Sequence, residues 1–253
     1  MNPVQKFEKA IAEYLEVSPE SVICCNSGTS ALIATLLGFG IENRRVFTTP
    51  FSFPATTNSI LLTGNMPHFI DVDNDGILDF SRIPLTKDNP PPSLLYATLF
   101  GNIKVPKRTS NYEAVIIDAA QSFFPSIHWK EVDAVTFSFY KTKQISTFEG
   151  GAILCNDNLT NKRIRAIINQ GQTKPWKFEY LGYNFRMPEI LAEIGYSALT
   201  TNHFASTKSM SDGYYPFLIP ELPYMRSKFF YSDDLSNAKL LVKRIDNESS
   251  SSL

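Results

Sequence analysis

Short apolar segments that alternate with helix-like segments constrain the fold of this chain more than any other feature of its sequence. Helical patterns or long connections separate apolar runs that begin near residues 22, 45, 68, 93, 114, 134 and 150. Strands that are apolar along their whole length are typical of a parallel sheet buried on both faces. The pattern therefore predicts an α/β fold with a mostly parallel sheet.

The two ends of this pattern predict helices. At the N-terminus, Asn2 is a candidate N-cap and Pro3 suits the first turn of an amphipathic helix. A further helix is predicted after the last apolar run, from residue 158 to about 170. Another is predicted at 188–199, with its buried side formed by Ile190, Leu191 and Ile194.

Charge and composition narrow the range of partners. The chain has 24 Lys and Arg residues against 25 Asp and Glu residues, so no positive excess favours nucleic acid or an anionic membrane. No apolar run approaches the roughly 20 residues that span a bilayer, and the N-terminus lacks the apolar core of a signal peptide. Three cysteines form neither a disulfide framework nor a zinc-binding pattern. We therefore expect a cytoplasmic protein with a small-molecule site and no metal.

The first candidate site segment follows the first apolar run. Asn-Ser-Gly-Thr-Ser leads directly into a helix, so the backbone N–H groups at Gly28, Thr29 and Ser30 would lie at a helix N-terminus. Such N–H groups can hold a phosphate. Ser and Thr are also good N-caps, so a helix that is merely capped is the alternative.

Two further segments end at the edge where open α/β sheets bind ligands. Phe53 follows the second apolar run, where its ring either stacks on a planar ligand or fills the core. Asp118 ends the run AVIID, and a buried carboxylate there either caps a turn or faces a cation. Gln121, three residues later, would point in a similar direction if the chain has turned helical.

The fourth segment, SFYKTKQISTFEGG, contains both a hydroxyl and amines. Ser138 lies near the end of a predicted strand, Lys141 and Lys143 follow it, and Glu149-Gly150-Gly151 forms a turn. A lysine at such an edge can act as a Schiff-base nucleophile. A solvated loop lysine is the alternative.

Taken together in this order, these segments resemble the motifs of the DegT family of nucleotide-sugar aminotransferases, which are fold type I pyridoxal phosphate enzymes. The resemblance extends over about residues 3 to 200. It is carried by five ordered motifs, at 28–32, 52–56, 118–121, 138–151 and 182–187. It implies a mostly parallel, seven-stranded large domain.

The resemblance also implies roles around the pyridoxal phosphate ring. Lys143 would form the Schiff base with the cofactor and later act as general acid and base. Asp118 would pair with the pyridine nitrogen and keep it protonated, so that the ring withdraws electrons. Gln121 would hydrogen-bond the ring hydroxyl, and Phe53 would stack on the ring face.

For the phosphate, the resemblance implies a cradle built by Gly28, Thr29 and the Ser138 hydroxyl. Asn184 would reach the phosphate bound by a neighbouring subunit, which implies a homodimer with shared active sites. The family does not reserve the position of Lys141 for lysine, so that side chain is expected at the surface or facing a partner.

By the same resemblance, a lysine at position 143 implies transamination, because relatives with histidine there are sugar 3-dehydratases. The amino donor would be an amino acid, usually glutamate. The acceptor would be a nucleotide-linked keto-deoxysugar, of the kind used for lipopolysaccharide and other surface polysaccharides or for antibiotics. An inactive relative that binds pyridoxal phosphate or serves as an interaction partner is the alternative.

The C-terminal part departs from the family pattern. The large domain is expected at residues 1–200, and residues 201–253 are expected to form a reduced small domain. Within this part, residues 199–218 predict a linking helix and residues 234–249 a terminal helix. The substrate pocket would then be finished by a partner subunit or by loops such as 173–187.

Overall fold

A computed structural model describes residues 1–106, 112–205 and 215–250, with side chains described up to Ile245. The α/β class predicted from the alternating pattern is confirmed. The strands are β1 (Val22–Cys25), β2 (Arg45–Thr48), β3 (Met66–Phe69), β4 (Ser93–Ala97), β5 (Val115–Asp118), β6 (Ala134–Ser138), β7 (Gly151–Cys155), β8 (Gln172–Lys174), β9 (Lys177–Phe178) and β10 (Tyr231–Ser232).

Helices connect most of these strands. The α-helices are α1 (Pro3–Leu15), α2 (Gly28–Gly38), α3 (Pro54–Leu62), α4 (Asn158–Ile167), α5 (Glu189–Thr200) and α6 (Ser236–Ser250). Short 3-10 helices span Pro19–Ser21, Phe80–Arg82, Ile127–Lys130, Ile219–Glu221 and Pro223–Ser227. None of the helices in the described ranges is long and apolar enough to cross a membrane.

The main sheet has the order β1-β7-β6-β5-β4-β2-β3-β10. All neighbours from β6 to β10 in this order are parallel, whereas β7 is antiparallel to both β1 and β6. The seven strands predicted from the sequence are present. The count of seven is too low for the whole sheet, because the two residues of β10 add an eighth strand beside β3.

Both faces of the sheet are buried, as the apolar strands predict. In β1, Cys24 belongs to one buried cluster, whereas Ile23 and Cys25 belong to another. Successive strand residues point to opposite faces, so these clusters form two core layers. Burial raises the pKa of the Cys25 thiol to about 12 and that of Cys155 to about 11, so these free thiols remain protonated at neutral pH.

The first and fifth helices pack against each other. Asn2 caps α1 as predicted: its side chain accepts a hydrogen bond from the Gln5 N–H at 2.9 Å. The prediction for α5 was wrong at Ile190, which is 69% exposed. The buried side of α5 contains Gly195 instead, where a Cβ atom would lie only 2.4 Å from the Phe7 ring. The buried residues of α5 are Ala192, Gly195 and Leu199, so Ile190 lies on the opposite side of the helix.

Much of the C-terminal part packs on the same sheet. The predicted linking helix is wrong at 201–205 and 215–218, which are not helical, and the rest of it lies outside the described residues. The terminal helix is confirmed as α6. Its start is held by the buried Asp71 carboxylate, which accepts hydrogen bonds from the N–H groups of Asn237 and Ala238, both at 2.9 Å. A division of the chain at residue 200 stays a prediction.

Candidate functional site

A cleft of about 320 Å³ opens at the carboxyl ends of the parallel strands. Chain segments that leave β1, β2, β4, β5 and β6 at this edge supply most of its walls, as expected for an open α/β sheet. The cleft is lined by Ser27, Gly28, Thr29, Leu32, Phe53, Ala55, Thr56, Ala97, Thr98, Leu99, Asp118, Ala120, Gln121, Ser138, Tyr140, Thr142, Lys143, Glu149 and Tyr215. Of the eight residues to which the resemblance gives a role at the cofactor, seven line this cleft.

Asp118 ends β5 and is the buried carboxylate of the cleft. Its Oδ2 accepts a hydrogen bond from the Thr56 hydroxyl at 2.7 Å, and its Oδ1 accepts one from the Ala120 N–H at 3.1 Å. Burial raises the pKa of Asp118, while these two donors and the charge of Lys143 act in the opposite direction. A cation placed in the cleft would favour the ionised carboxylate further.

The start of α2 forms a narrow cradle with β6 and β7. A Cβ atom added to Gly28 would lie 2.9 Å from the Cβ of Ser138, so a larger residue would collide with the serine. A Cβ atom on Gly151 would lie 2.5 Å from the Ser27 carbonyl oxygen. These glycines let the helix N-terminus and the Ser138 hydroxyl approach each other. Ser27 caps α2 by accepting a hydrogen bond from the Ser30 N–H, so the alternative of a capped helix is observed. Binding of an anion by Gly28 and Ser138 is compatible with this cap and stays a prediction.

The two lysines of the loop after β6 differ in environment. Lys143 is half-buried and lines the cleft, where its charge acts on Asp118. Lys141 is exposed, with its Nζ 5.7 Å from the centre of the Tyr140 ring. The half-buried position of Lys143 disfavours the alternative of a solvated loop lysine, and the position of Lys141 fits the expected surface charge.

Aromatic rings form one side of the cleft. Phe53 precedes α3 and is 58% exposed, so it does not fill the core. Its ring centre lies 6.3 Å from that of Tyr215. Gln121 lies beside them and donates a hydrogen bond from Nε2 to the Tyr215 hydroxyl at 2.8 Å. An exposed ring at this edge can stack on a planar ligand.

Asn184 is the one predicted site residue that does not line the cleft. It is exposed, in a segment that returns to the sheet edge beside β1. The Asn26 N–H donates to the Phe185 carbonyl at 2.8 Å, and the Asn26 side chain donates to the Asn184 carbonyl at 3.4 Å. A role for Asn184 toward a neighbouring subunit stays a prediction.

Sequence reasoning missed two residues whose hydroxyls bond the side chains of predicted site residues. Thr56 lies inside one of the quoted motifs, but the motif gave no sign that its hydroxyl bonds Asp118. Tyr215 comes from the C-terminal part, where the pattern of apolar residues is weak.

Among the residues with a described position, no group of three His, Cys, Asp or Glu residues is placed to bind a metal ion.

Residues 2–225 match the sequence pattern of the DegT/DnrJ/EryC1/StrS aminotransferase family. The chain belongs to this family. The match confirms the resemblance drawn from the five motifs, and it extends beyond residue 200 into the segment that supplies Tyr215.

Relatives from two bacteria show similar sequences over most of the chain. A UDP-4-amino-4,6-dideoxy-N-acetyl-beta-L-altrosamine transaminase of Campylobacter jejuni is 31% identical over 78% of this chain and 56% of its own length. A dTDP-4-amino-4,6-dideoxy-D-glucose transaminase of Shigella dysenteriae is 33% identical over 76% of this chain and 54% of its own length. The chain therefore spans little more than half the length of these curated relatives.

A solved structure resembles almost the entire chain. The crystal structure of a DegT DnrJ EryC1 StrS aminotransferase from Brucella abortus superposes with a TM-score of 0.73 at 19% identity. The superposition covers 98% of this chain and 90% of that one. The fold, including its C-terminal part, therefore has a counterpart of similar extent.

The residues of the cleft fit pyridoxal phosphate, the cofactor of the family. The Gly28 and Ser138 cradle suits a phosphate, since it combines a helix N-terminus with a hydroxyl. The buried Asp118 suits a protonated pyridine nitrogen, because a buried carboxylate is stabilised by a cationic partner. The exposed Phe53 ring suits a ring face. These three features surround one cleft that also contains an amine.

The cradle provides a test of phosphate binding. Ser138→Ala is expected to weaken the binding of pyridoxal phosphate roughly 10- to 100-fold, because a hydrogen bond to a charged group contributes about 1.5–3 kcal/mol. Equilibrium titration with the cofactor measures this change. Ser146→Ala is the control, since the Ser146 hydroxyl accepts a hydrogen bond from the nearby Phe148 N–H and Ser146 does not line the cleft. Equal affinities of both variants would remove Ser138 from the phosphate site.

Proposed function

We propose that the chain is a pyridoxal phosphate-dependent aminotransferase that acts on a nucleotide-linked keto-deoxysugar. One observation carries the proposal: a half-buried amine, Lys143, and a buried carboxylate, Asp118, line the same cleft as an anion cradle. A plain surface depression would not require a buried charge beside a lysine. Family membership supports the same reaction class.

In this proposal different residues of the chain bind the cofactor, orient it and transfer protons. The bound cofactor supplies a carbonyl carbon and an electron-withdrawing ring. Lys143 would hold the cofactor through its amine and, once the amine of the amino donor has replaced it, would move a proton as general base and acid. Asp118 would accept a hydrogen bond from the N–H of the ring nitrogen and stay ionised beside that positive charge. The Gly28 and Ser138 cradle fixes the phosphate, and Phe53 orients the ring and excludes water from one face.

The nature of the substrates is supported by the relatives. Both aligned transaminases act on 4-amino-4,6-dideoxy sugars linked to nucleotides, but the nucleotide differs between them. We propose the same chemical class for this chain, with glutamate as amino donor and lipopolysaccharide or another surface polysaccharide as the destination of the product. The two relatives differ in the nucleotide and in the sugar, whereas the names of both place the amino group on carbon 4.

We also propose a cytoplasmic homodimer with shared sites. Nucleotide-linked sugars and glutamate are cytoplasmic metabolites, and the free thiols suit a compartment that keeps cysteines reduced. The hairpin of β8 and β9 and the segment after it expose large apolar side chains, including Trp176 at 88% and Leu181 at 82%. Several large apolar side chains exposed within one short segment favour an interaction surface there. It lies next to Asn184, the residue assigned to a neighbouring site.

A charge on this surface tests the dimer. Leu181→Glu is expected to raise the dimer dissociation constant at least about 30-fold, because loss of an interface hot spot costs about 2 kcal/mol or more. Analytical ultracentrifugation over a range of concentrations measures it. Leu85→Glu is the matched control, since Leu85 is similarly exposed at 88%. A Leu181→Glu protein that sediments as the wild type would contradict this interface.

The half-reaction tests the function. Added pyridoxal phosphate is expected to give the visible absorption band of a lysine-bound cofactor, and glutamate is expected to bleach this band while 2-oxoglutarate forms. A band that neither glutamate nor any other amino acid bleaches would favour the alternative of an inactive relative that binds the cofactor. Absence of the band would refute the proposal.

A further inference from the structure

Tyr215 brings the C-terminal part of the chain into the cleft. Among the described residues that line the cleft, it alone lies beyond residue 149. The tyrosine is only 7% exposed, and its ring packs edge-on against Phe51, with the ring centres 5.8 Å apart. On the cleft side, its ring centre lies 6.3 Å from that of Phe53.

The surrounding packing fixes this position. The backbone of Tyr215 has a φ of 60°, in the left-handed region that a residue with a side chain seldom adopts. Such a conformation persists where neighbouring contacts determine it, and these conformations cluster at functional sites. Here the Ile219 N–H donates to the Pro50 carbonyl at 2.9 Å, and Leu218 and Met225 are buried in the same apolar cluster as Tyr215.

The contacts of Gln121 give Tyr215 a chemical role. The Oε1 of Gln121 accepts a hydrogen bond from the Phe100 N–H at 3.1 Å, and its Nε2 donates to the Tyr215 hydroxyl at 2.8 Å. A backbone N–H cannot accept, so the amide cannot flip without losing that bond. One N–H of the amide is thus directed at the tyrosine. The other N–H has no acceptor among the described residues.

We propose that Tyr215 is a positioning residue that holds the Gln121 amide so that its remaining N–H points at the ring hydroxyl of bound pyridoxal phosphate. The inference rests on the proposed function. Through this contact, the C-terminal segment anchored at Ile219 helps to set the electronic state of the cofactor, in addition to covering the sheet.

Tyr215→Phe tests the proposal, because it removes the hydroxyl and keeps the ring. Cofactor affinity is expected to fall about 2- to 12-fold, the equivalent of one net hydrogen bond. The pH at which the visible band of the bound cofactor titrates is expected to move upward, since the ring oxygen loses an oriented donor. Tyr224→Phe is the matched control: its hydroxyl donates to Asn58 Oδ1 at 2.7 Å, and Tyr224 does not line the cleft.

The outcomes separate the two proposals. If wild-type protein binds the cofactor but Tyr215→Phe leaves both its affinity and its titration unchanged, the inference is overturned and the proposed function stands. If wild-type protein shows no band, the proposed function fails and the inference fails with it. Tyr215→Phe is also expected to have no further effect in a Gln121→Ala background. Additive effects there would overturn the inference, because Tyr215 would not act through Gln121.

Discussion

Lys143→Ala is expected to abolish the visible absorption band of the cofactor and to reduce transamination to background, whereas Lys141→Ala is expected to leave both unchanged. This is the expected result if Lys143 is the nucleophile, since alanine has no amine to bond the cofactor. The two lysines differ in position by only two residues and in environment by their access to the cleft. Spectroscopic titration of both purified variants with pyridoxal phosphate, followed by an assay with glutamate, measures the difference.

Two outcomes of this comparison between Lys143→Ala and Lys141→Ala would contradict the assignment. A band that persists in Lys143→Ala would place the covalent bond elsewhere in the chain. Loss of activity in Lys141→Ala, with its band intact, would show that the loop after β6 contributes more than one amine to the reaction. Circular dichroism of each variant separates these outcomes from a loss of the fold.

The second large effect is expected at Asp118. Asp118→Asn keeps the size of the side chain and removes its charge, so activity is expected to fall roughly 10²- to 10³-fold, the loss typical of one electrostatic group in an active site. The cofactor-free variant is expected to be more stable than the cofactor-free wild type at neutral pH. Burial raises the pKa of Asp118, which means that the folded protein disfavours the ionised form.

Because the pKa of Asp118 is raised, the stability difference between Asp118→Asn and wild type is expected to depend on pH. A carboxyl whose folded-state pKa is raised contributes stability that is fully present below its unfolded-state pKa and is lost as the pH rises through its folded-state pKa. The stability advantage of Asp118→Asn over wild type is therefore expected at neutral pH and to vanish in acid, where Asp118 is protonated. Thermal unfolding of both proteins without cofactor, over a range of pH values, measures it. A variant less stable than wild type at neutral pH would contradict the assignment.

Much of the sheet could be predicted because its strands are short and apolar throughout. The seven strands from β1 to β7 all follow from local sequence, and so does the Asn2 cap of α1. The strand β10 could not be predicted, since two exposed residues carry no pattern and their pairing with β3 depends on how the C-terminal part packs. The burial of Ile190 was predicted wrongly for a similar reason. The side of α5 that approaches α1 is the one that contains Gly195, and Ile190 is exposed.

In the site, too, residues at strand ends could be predicted from local sequence, whereas contacts between distant segments could not. Asp118 and Ser138 end strands, and Gly28 begins the helix that follows β1, so their position at one sheet edge follows from the direction of the strands. Thr56 bonds a residue 62 positions away, and Tyr215 bonds one that is 94 positions away. Neither contact could be predicted from the spacing of residues in the sequence, because each depends on packing between segments that are distant in the chain.

The central claim is that Lys143 holds the cofactor in the cleft, and chemical trapping tests it most directly. Holoenzyme treated with borohydride fixes the lysine-bound cofactor as a stable secondary amine, and digestion followed by mass spectrometry then identifies the labelled lysine. We expect the label on the peptide that contains Lys143, and we expect Lys141 to be unlabelled. A label on any other lysine, or no label in protein that binds the cofactor tightly, would contradict the account.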